Sequence, residues 1–115
     1  MRALLKQDHT GGPYLLIALA EEKDEEQLFE LGHVVMTPGA AALNVDFSPY
    51  LARHLSGDWG SLDTFDVRQN NQAVRDGLRI LSAYDVPVDG GEPERIWIIT
   101  ESDRSSTTVL TPAEY

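Results

Sequence analysis

The stretch His54–Asp63, HLSGDWGSLD, gathers a histidine, two acids and a tryptophan among glycines. His54 and Asp58 are four residues apart. On one continuous helix they would share a face, where a carboxylate could orient or charge the imidazole. That pattern suits a small hydrolase, metal-assisted or not. His54 would be the general base or a ligand, Asp58 would orient it, and Asp103 and Arg104 would stand nearby. A metal would need further ligands from distant sequence, with His33, Asp63 and Asp103 as the candidates. No HExxH or HxH pairing marks such a centre, and neither a metal nor another cofactor is expected.

A second reading explains the same residues structurally. Gly57 lies between His54 and Asp58 and can end a helix. His54 then sits at a helix C-terminus, where partial positive charge is favourable. Asp58, flanked by glycines, can fix a tight loop through nearby backbone N–H groups. Trp59 either plugs the core or presents a binding surface, and the plug is expected. Asn70 and Asn71 fall in a predicted helix interior, where Asn is mildly unfavourable; they are either solvated or tie the helix to the GDWG loop. Asp103 suits a turn, and Arg104 can pair with an acid or grip a carboxylate or phosphate. Asp58, Trp59, Asp63, Asn71, Asp103 and Arg104 form the candidate binding surface. The hydroxyl run Ser105–Thr108 carries no spacing that would activate a nucleophile and reads as strand.

Local signals define the elements that must position these residues. Leu31–Met36 reads as a short strand. Thr37-Pro38 and Ser48-Pro49 each open a helix, the first continuing through Ala40–Leu43 and the second running to Leu55. Asp63 or Thr64 can cap a third helix. Val67, Val74, Leu78 and Leu81 follow at helical spacing, with Gly77 inside or at the end and extended chain beyond. Leu78–Val86, Arg95–Glu101 and Thr107–Thr111 read as strands, joined by DGGEP and by a turn at Ser102–Ser105. IWII places Trp97 and Ile99 on one face and Ile96 and Ile98 on the other, as a central strand covered on both sides requires. Upstream, two short strands around Gly11-Gly12 make a hairpin, and the acid-rich EEKDEEQLFE reads as a solvated connector or an exposed helix face rather than a binding tail. The expected fold is α+β, with short helices followed by an antiparallel β-meander that the earlier strand joins.

Composition narrows the functions. The chain has 115 residues, the size of one domain, 1–115, and 42% hydrophobic content. It has no cysteine, which removes disulfides, thiolate metal sites and cysteine nucleophiles. The longest apolar run, Tyr14–Ala20, is far short of a membrane span, and the N-terminus lacks a signal-peptide apolar region. A cytoplasmic protein with no membrane partner is expected. Nineteen acids against nine bases give a net charge of −10. Such a surface repels nucleic acid, so direct binding to it is not expected; a basic protein is the favoured partner. There is no GxGxxG, P-loop or GxSxG.

Taken together, HLSGDWGSLD, LRILSAYDVP and IWIITESDRSSTTVLTPAEY resemble a family of small, uncharacterised bacterial proteins. Its members are often seen with plasmids or other mobile elements, and some carry an automatic label linking them to type I restriction–modification subunits. The corresponding residues are Leu31-Gly32, Thr37–Ala40, His54, Gly57–Gly60, Leu62-Asp63, Asn71, Gly77 and Leu81–Tyr84. The tail corresponds at Trp97–Glu101, Asp103–Ser105, Thr107-Thr108 and Glu114-Tyr115. Ser102 and Thr111 depart from the family's usual Ala and Leu, and residues 1–30 fall outside the resemblance. A methyltransferase is not implied, because the chain lacks a glycine-rich cofactor loop and an NPPY-like motif. The resemblance implies a mobile-element protein. The leading expectation is a non-enzymatic accessory module acting through protein contacts. The hydrolase centred on His54 and Asp58 is one alternative. An acidic inhibitor or DNA mimic aimed at a restriction or defence enzyme is the other, and it requires a phosphate-like row of carboxylates.

Overall fold

Period-two alternation builds the sheet of this α+β protein. In the computed structural model residues 27–115 are described; the hairpin around Gly11-Gly12, the Tyr14–Ala20 run and most of the acidic connector lie outside them. The element order is β1 (His33–Met36), α1 (Pro38–Ala41), α2 (Ser48–Leu55), α3 (Thr64–Asp76), β2 (Ile80–Val86), β3 (Glu94–Thr100) and β4 (Ser106–Leu110), then a 3-10 turn at Pro112–Glu114. The strand order is β1-β4-β3-β2.

The last three strands form the expected antiparallel meander, and the early strand does join it. It joins in parallel, however, with Val34 beside Thr107 and Met36 beside Val109. The sheet is therefore mixed. After β1 the chain crosses three helices and re-enters the sheet at the far edge, so β4 reaches β1 running in the same direction.

Register places Tyr84 opposite Ile96, and Ile98 opposite both Ser82 and Val109. This inner face packs on Ala40 of α1 and on Phe47 and Leu51 at α2. Burying each large apolar side chain there contributes about 1.5–3 kcal/mol. On the opposite face Ile99 is also buried, and Tyr115 meets the Trp97 ring edge-on at 5.5 Å. The central strand is thus covered on both sides, as its continuous apolar run requires.

The helix starts follow local chemistry. Thr37 Oγ1 accepts from the Ala40 N–H, with Pro38 in the first turn, and Asp63 accepts from the Asp66 N–H. The expected stripe on α3 needs correction. Gly77 takes a left-handed φ of 68° and stops the helix, so Leu78 and Leu81 fall beyond it, and Leu78 is exposed. Val67 and Val74 do pack toward the core, beside the buried Asn70 and Ala73.

Asn70 closes part of the free edge of β2. Its amide Nδ2 donates to Leu81 O at 2.7 Å and its Oδ1 accepts from Leu81 N at 3.2 Å. The side chain thereby mimics one residue of a neighbouring strand. Asn70→Ala should cost about 2–3 kcal/mol in a urea titration, because it strands two backbone groups at a part-buried edge. A loss near zero would mean that water replaces both bonds.

Glu114 joins the C-terminal segment to the start of α1. Glu114 accepts from the Thr37 hydroxyl at 2.5 Å, the Gly39 N–H at 2.7 Å and the Thr111 N–H at 2.9 Å. Led by the Thr37 bond, these donors hold its carboxyl at about 2. The TPGA and PAEY segments are therefore one structural joint. No helix among the described residues is long and apolar enough to cross a membrane.

Candidate functional site

His54 lies in the last turn of α2, with Arg53 beside it, as the stop at Gly57 predicts. It is fully buried on the inner face of the sheet. Nδ1 stands 2.5 Å from Ser82 Oγ and Nε2 stands 2.9 Å from Thr100 Oγ1. Thr100 Oγ1 is in turn 2.7 Å from Thr107 Oγ1, which donates to Leu31 O at 2.7 Å.

The far end of this chain fixes every proton in it. Leu31 O can only accept, so the Thr107 hydroxyl donates to it. Thr107 then accepts from Thr100, and Thr100 accepts from His54 Nε2–H. That leaves Nδ1 as an acceptor for the Ser82 hydroxyl. The imidazole is neutral, and burial, reinforced by the field of Arg104, pushes its pKa down to about 3.

The His54–Asp58 pair does not form, which corrects the sequence expectation. Asp58 instead accepts from Arg53 Nε at 2.8 Å and Nη2 at 3.3 Å. The reason is local. Gly57 turns the chain with φ 90°, so Asp58 leaves the helical path that would bring it over His54. The Arg53 bond, helped by the Gly60 N–H, holds the Asp58 carboxyl below its ordinary value. Both partners of this ion pair are about half exposed, at 44% and 51% of the side-chain surface. Asp58→Asn is expected to change stability by less than about 1 kcal/mol, and by still less at high salt. Thermal melts at two ionic strengths check this.

Trp59 is buried, with Nε1 donating to Asn71 Oδ1 at 3.0 Å. Asn71 thus ties α3 to the GDWG loop. The loop also pairs with β2 through its backbone. Ala83 N donates to Trp59 O at 3.1 Å, and Ser61 N donates to Ala83 O at 2.7 Å. Burial pushes the Tyr84 phenol up to about 12, and its hydroxyl donates to Asp58 O at 2.6 Å.

The remaining candidates serve turns and caps. Asp63 caps α3. Asp103 Oδ1 accepts from the N–H and the hydroxyl of Ser105, at 2.9 and 2.6 Å. Arg104 has a left-handed φ of 61°, and its guanidinium donates to Leu78 O at 2.7 Å and to Ala73 O at 3.1 Å. It completes the carbonyls at the C-terminal end of α3, where a cation is favoured. His33 stands exposed on β1. Among the described residues no group of three or more His, Asp or Glu side chains is arranged to hold a metal ion.

Several acids are engaged one by one. Asp58, Asp85 and Glu101 pair with Arg53, Arg95 and Arg79, while Asp46, Asp63, Asp103 and Glu114 accept from backbone N–H groups.

Ser82, Thr100, Thr107 and Phe29 are central to the His54 corner but were not singled out from sequence. Their signal was present. Ser82 sits two residues from Ile80 and Tyr84, and Thr100 sits two from Ile98. A hydroxyl at an inward position of an apolar strand needs a buried partner.

No family model, curated protein or solved structure matches the chain.

Proposed function

We propose that the protein is a non-enzymatic accessory module that acts by contacting another protein. One observation carries this reading: the four residues that would make up a catalytic centre, His54, Asp58, Asp103 and Arg104, are engaged in holding the fold. His54 has both ring nitrogens occupied and no exposed surface. Asp58, Asp103 and Arg104 face Arg53, Ser105 and backbone carbonyls. The same bonds make the GDWG corner and the ESDRS turn rigid, which suits recognition, since a preorganised surface loses little entropy on binding. The net charge of −10 favours a basic partner. The resemblance implies that this contact is made in the cytoplasm of a bacterium carrying a mobile element.

The test is a pull-down from bacterial lysate at low and at high salt, followed by titration of the recovered protein against the purified chain. Saturable binding that weakens steeply with salt is expected. Recovery of no specific partner at either salt would overturn the reading. So would turnover of an ester or phosphodiester substrate that Asp58→Asn abolishes.

A further inference from the structure

Among the described residues a short strap, 27–31, packs over His54, and Phe29 and Leu31 link it to the imidazole. The Phe29 ring stands edge-on to His54 at 5.2 Å and stacks on Trp59 at 6.3 Å. Leu28 N donates to Leu55 O at 2.9 Å, one residue beyond His54. Leu31 O is the last acceptor of the hydroxyl chain that begins at Ser82. The Arg104 guanidinium lies 5.5 Å from the Phe29 ring centre. The strap therefore meets the ring directly through Phe29 and, at Leu31, through the hydroxyl chain.

That ring is placed to be intolerant of charge. Facing it are Ser82 from β2, Thr100 from β3, Phe29 from the strap and Trp59 from the corner, none of which titrates in the acid range. Thr107 of β4 touches it only through Thr100. Among the described residues the charged group whose field reaches it is Arg104, a cation. The neighbouring acids are turned elsewhere. Asp58 holds Arg53, Glu101 holds Arg79, Asp103 holds Ser105, and Glu30 is exposed on the strap. The Tyr84 phenol is neutral and donates to Asp58 O. A proton on Nδ1 would remove the acceptor of the Ser82 hydroxyl and set a second cation beside Arg104, with no carboxylate among the described residues to receive it.

We infer that the 27–31 strap is an acid-opened latch: when His54 takes up a proton, Phe29 lifts from the His54–Trp59 pair and uncovers that apolar surface while the sheet stays folded. The imidazolium gains water through the opening. β3 and β4 keep their ladder, which does not pass through the strap. The inference is independent of which partner the protein binds.

The test uses the full chain carrying Trp97→Phe, which leaves Trp59 as its tryptophan. Trp59 emission and amide hydrogen exchange, corrected for intrinsic rate, are followed from neutral pH into acid. Trp59 emission should move to longer wavelength. The opening equilibrium at the Leu28 amide should rise about tenfold per pH unit once protonation sets in, as uptake of one proton requires, while the amides of β3 stay protected. His54→Gln should abolish that slope. The inference is overturned if Leu28 opens only together with β3, or if His54→Gln keeps the slope. Should His54→Gln fail to fold, Phe29→Ala decides. With the cover weakened, Trp59 should respond at higher pH than in the parent, and an unchanged midpoint overturns the latch.

Discussion

Gly60→Ala should leave little folded protein. The residue has φ 80°, and a Cβ there would overlap the Ala83 carbonyl oxygen and press on the Tyr84 ring. The backbone strain alone costs about 1–3 kcal/mol. The overlap cannot be relieved by a side chain, because its target is the β2 backbone. Separating the two segments would break the bonds from Ala83 N to Trp59 O and from Ser61 N to Ala83 O, and would pull Trp59 from its site. The sum should exceed about 4 kcal/mol, the range reserved for a few severe mechanisms. Circular dichroism during urea titration checks it, with Gly90→Ala as the control. Gly90 also has positive φ, at 72°, but a Cβ there meets nothing within 4 Å. If both variants lost the same amount, strain alone would account for Gly60 and the close approach to β2 would be irrelevant.

His54→Ala is the other large effect, and it depends on pH. At neutral pH the variant leaves the Ser82 and Thr100 hydroxyls short of a partner and opens a cavity, which together should cost about 3–5 kcal/mol. The sign with pH follows from the ring's depressed pKa. The folded state holds His54 neutral down to about 3, whereas the unfolded chain protonates it near 6.5. Its stabilising contribution is complete above the unfolded value. It falls as acid is added, by about 1.4 kcal/mol per unit, until the folded value is reached. The alanine variant lacks this slope. The gap between the two proteins should therefore narrow from about pH 7.5 to about pH 4.5, even as carboxylates destabilise both. Urea titrations at those values would show it, and a constant gap would mean that the folded ring carries its charge.

What the sequence reveals here is what local chemistry decides. The Thr37-Pro38 start, the Asp63 cap and the Gly57 stop each act within one turn, and each stands where the residue types place it. Trp59 as a plug was legible for the same reason: a large apolar ring between glycines has few other uses. The partners of His54 were not. Ser82 and Thr100 reach it only once β2 and β3 are in register and α2 crosses them, and no local pattern carries that information. Asp58 misled because helical spacing was extended past the glycine that breaks it. Leu78 and Leu81 continue the helical spacing of Val67 and Val74, but Gly77 stops the helix before them and Leu81 takes its place in β2, as the strand reading of Leu78–Val86 places it. Arg104 is the subtler case. Its chemistry as a fork of donors was read correctly, but besides the local Glu101 and Ser102 carbonyls it reaches Ala73 and Leu78, at a helix end distant in sequence.

The parallel pairing of β1 with β4 has a consequence for how the chain comes to fold. Met36 lies beside Val109, so the first described strand finds its neighbour only after α1 to α3 and β2 to β4 have been made. Closing so long a loop is entropically unfavourable, and folds dominated by such contacts assemble slowly. During synthesis the meander can zip up as each hairpin emerges, while β1 waits for β4. The Thr37–Glu114 joint lies next to this closure and forms later still. Among the described residues assembly should therefore end at β1, and this waiting segment, with Val34, Val35 and Met36 in a row, is open to capture by another strand.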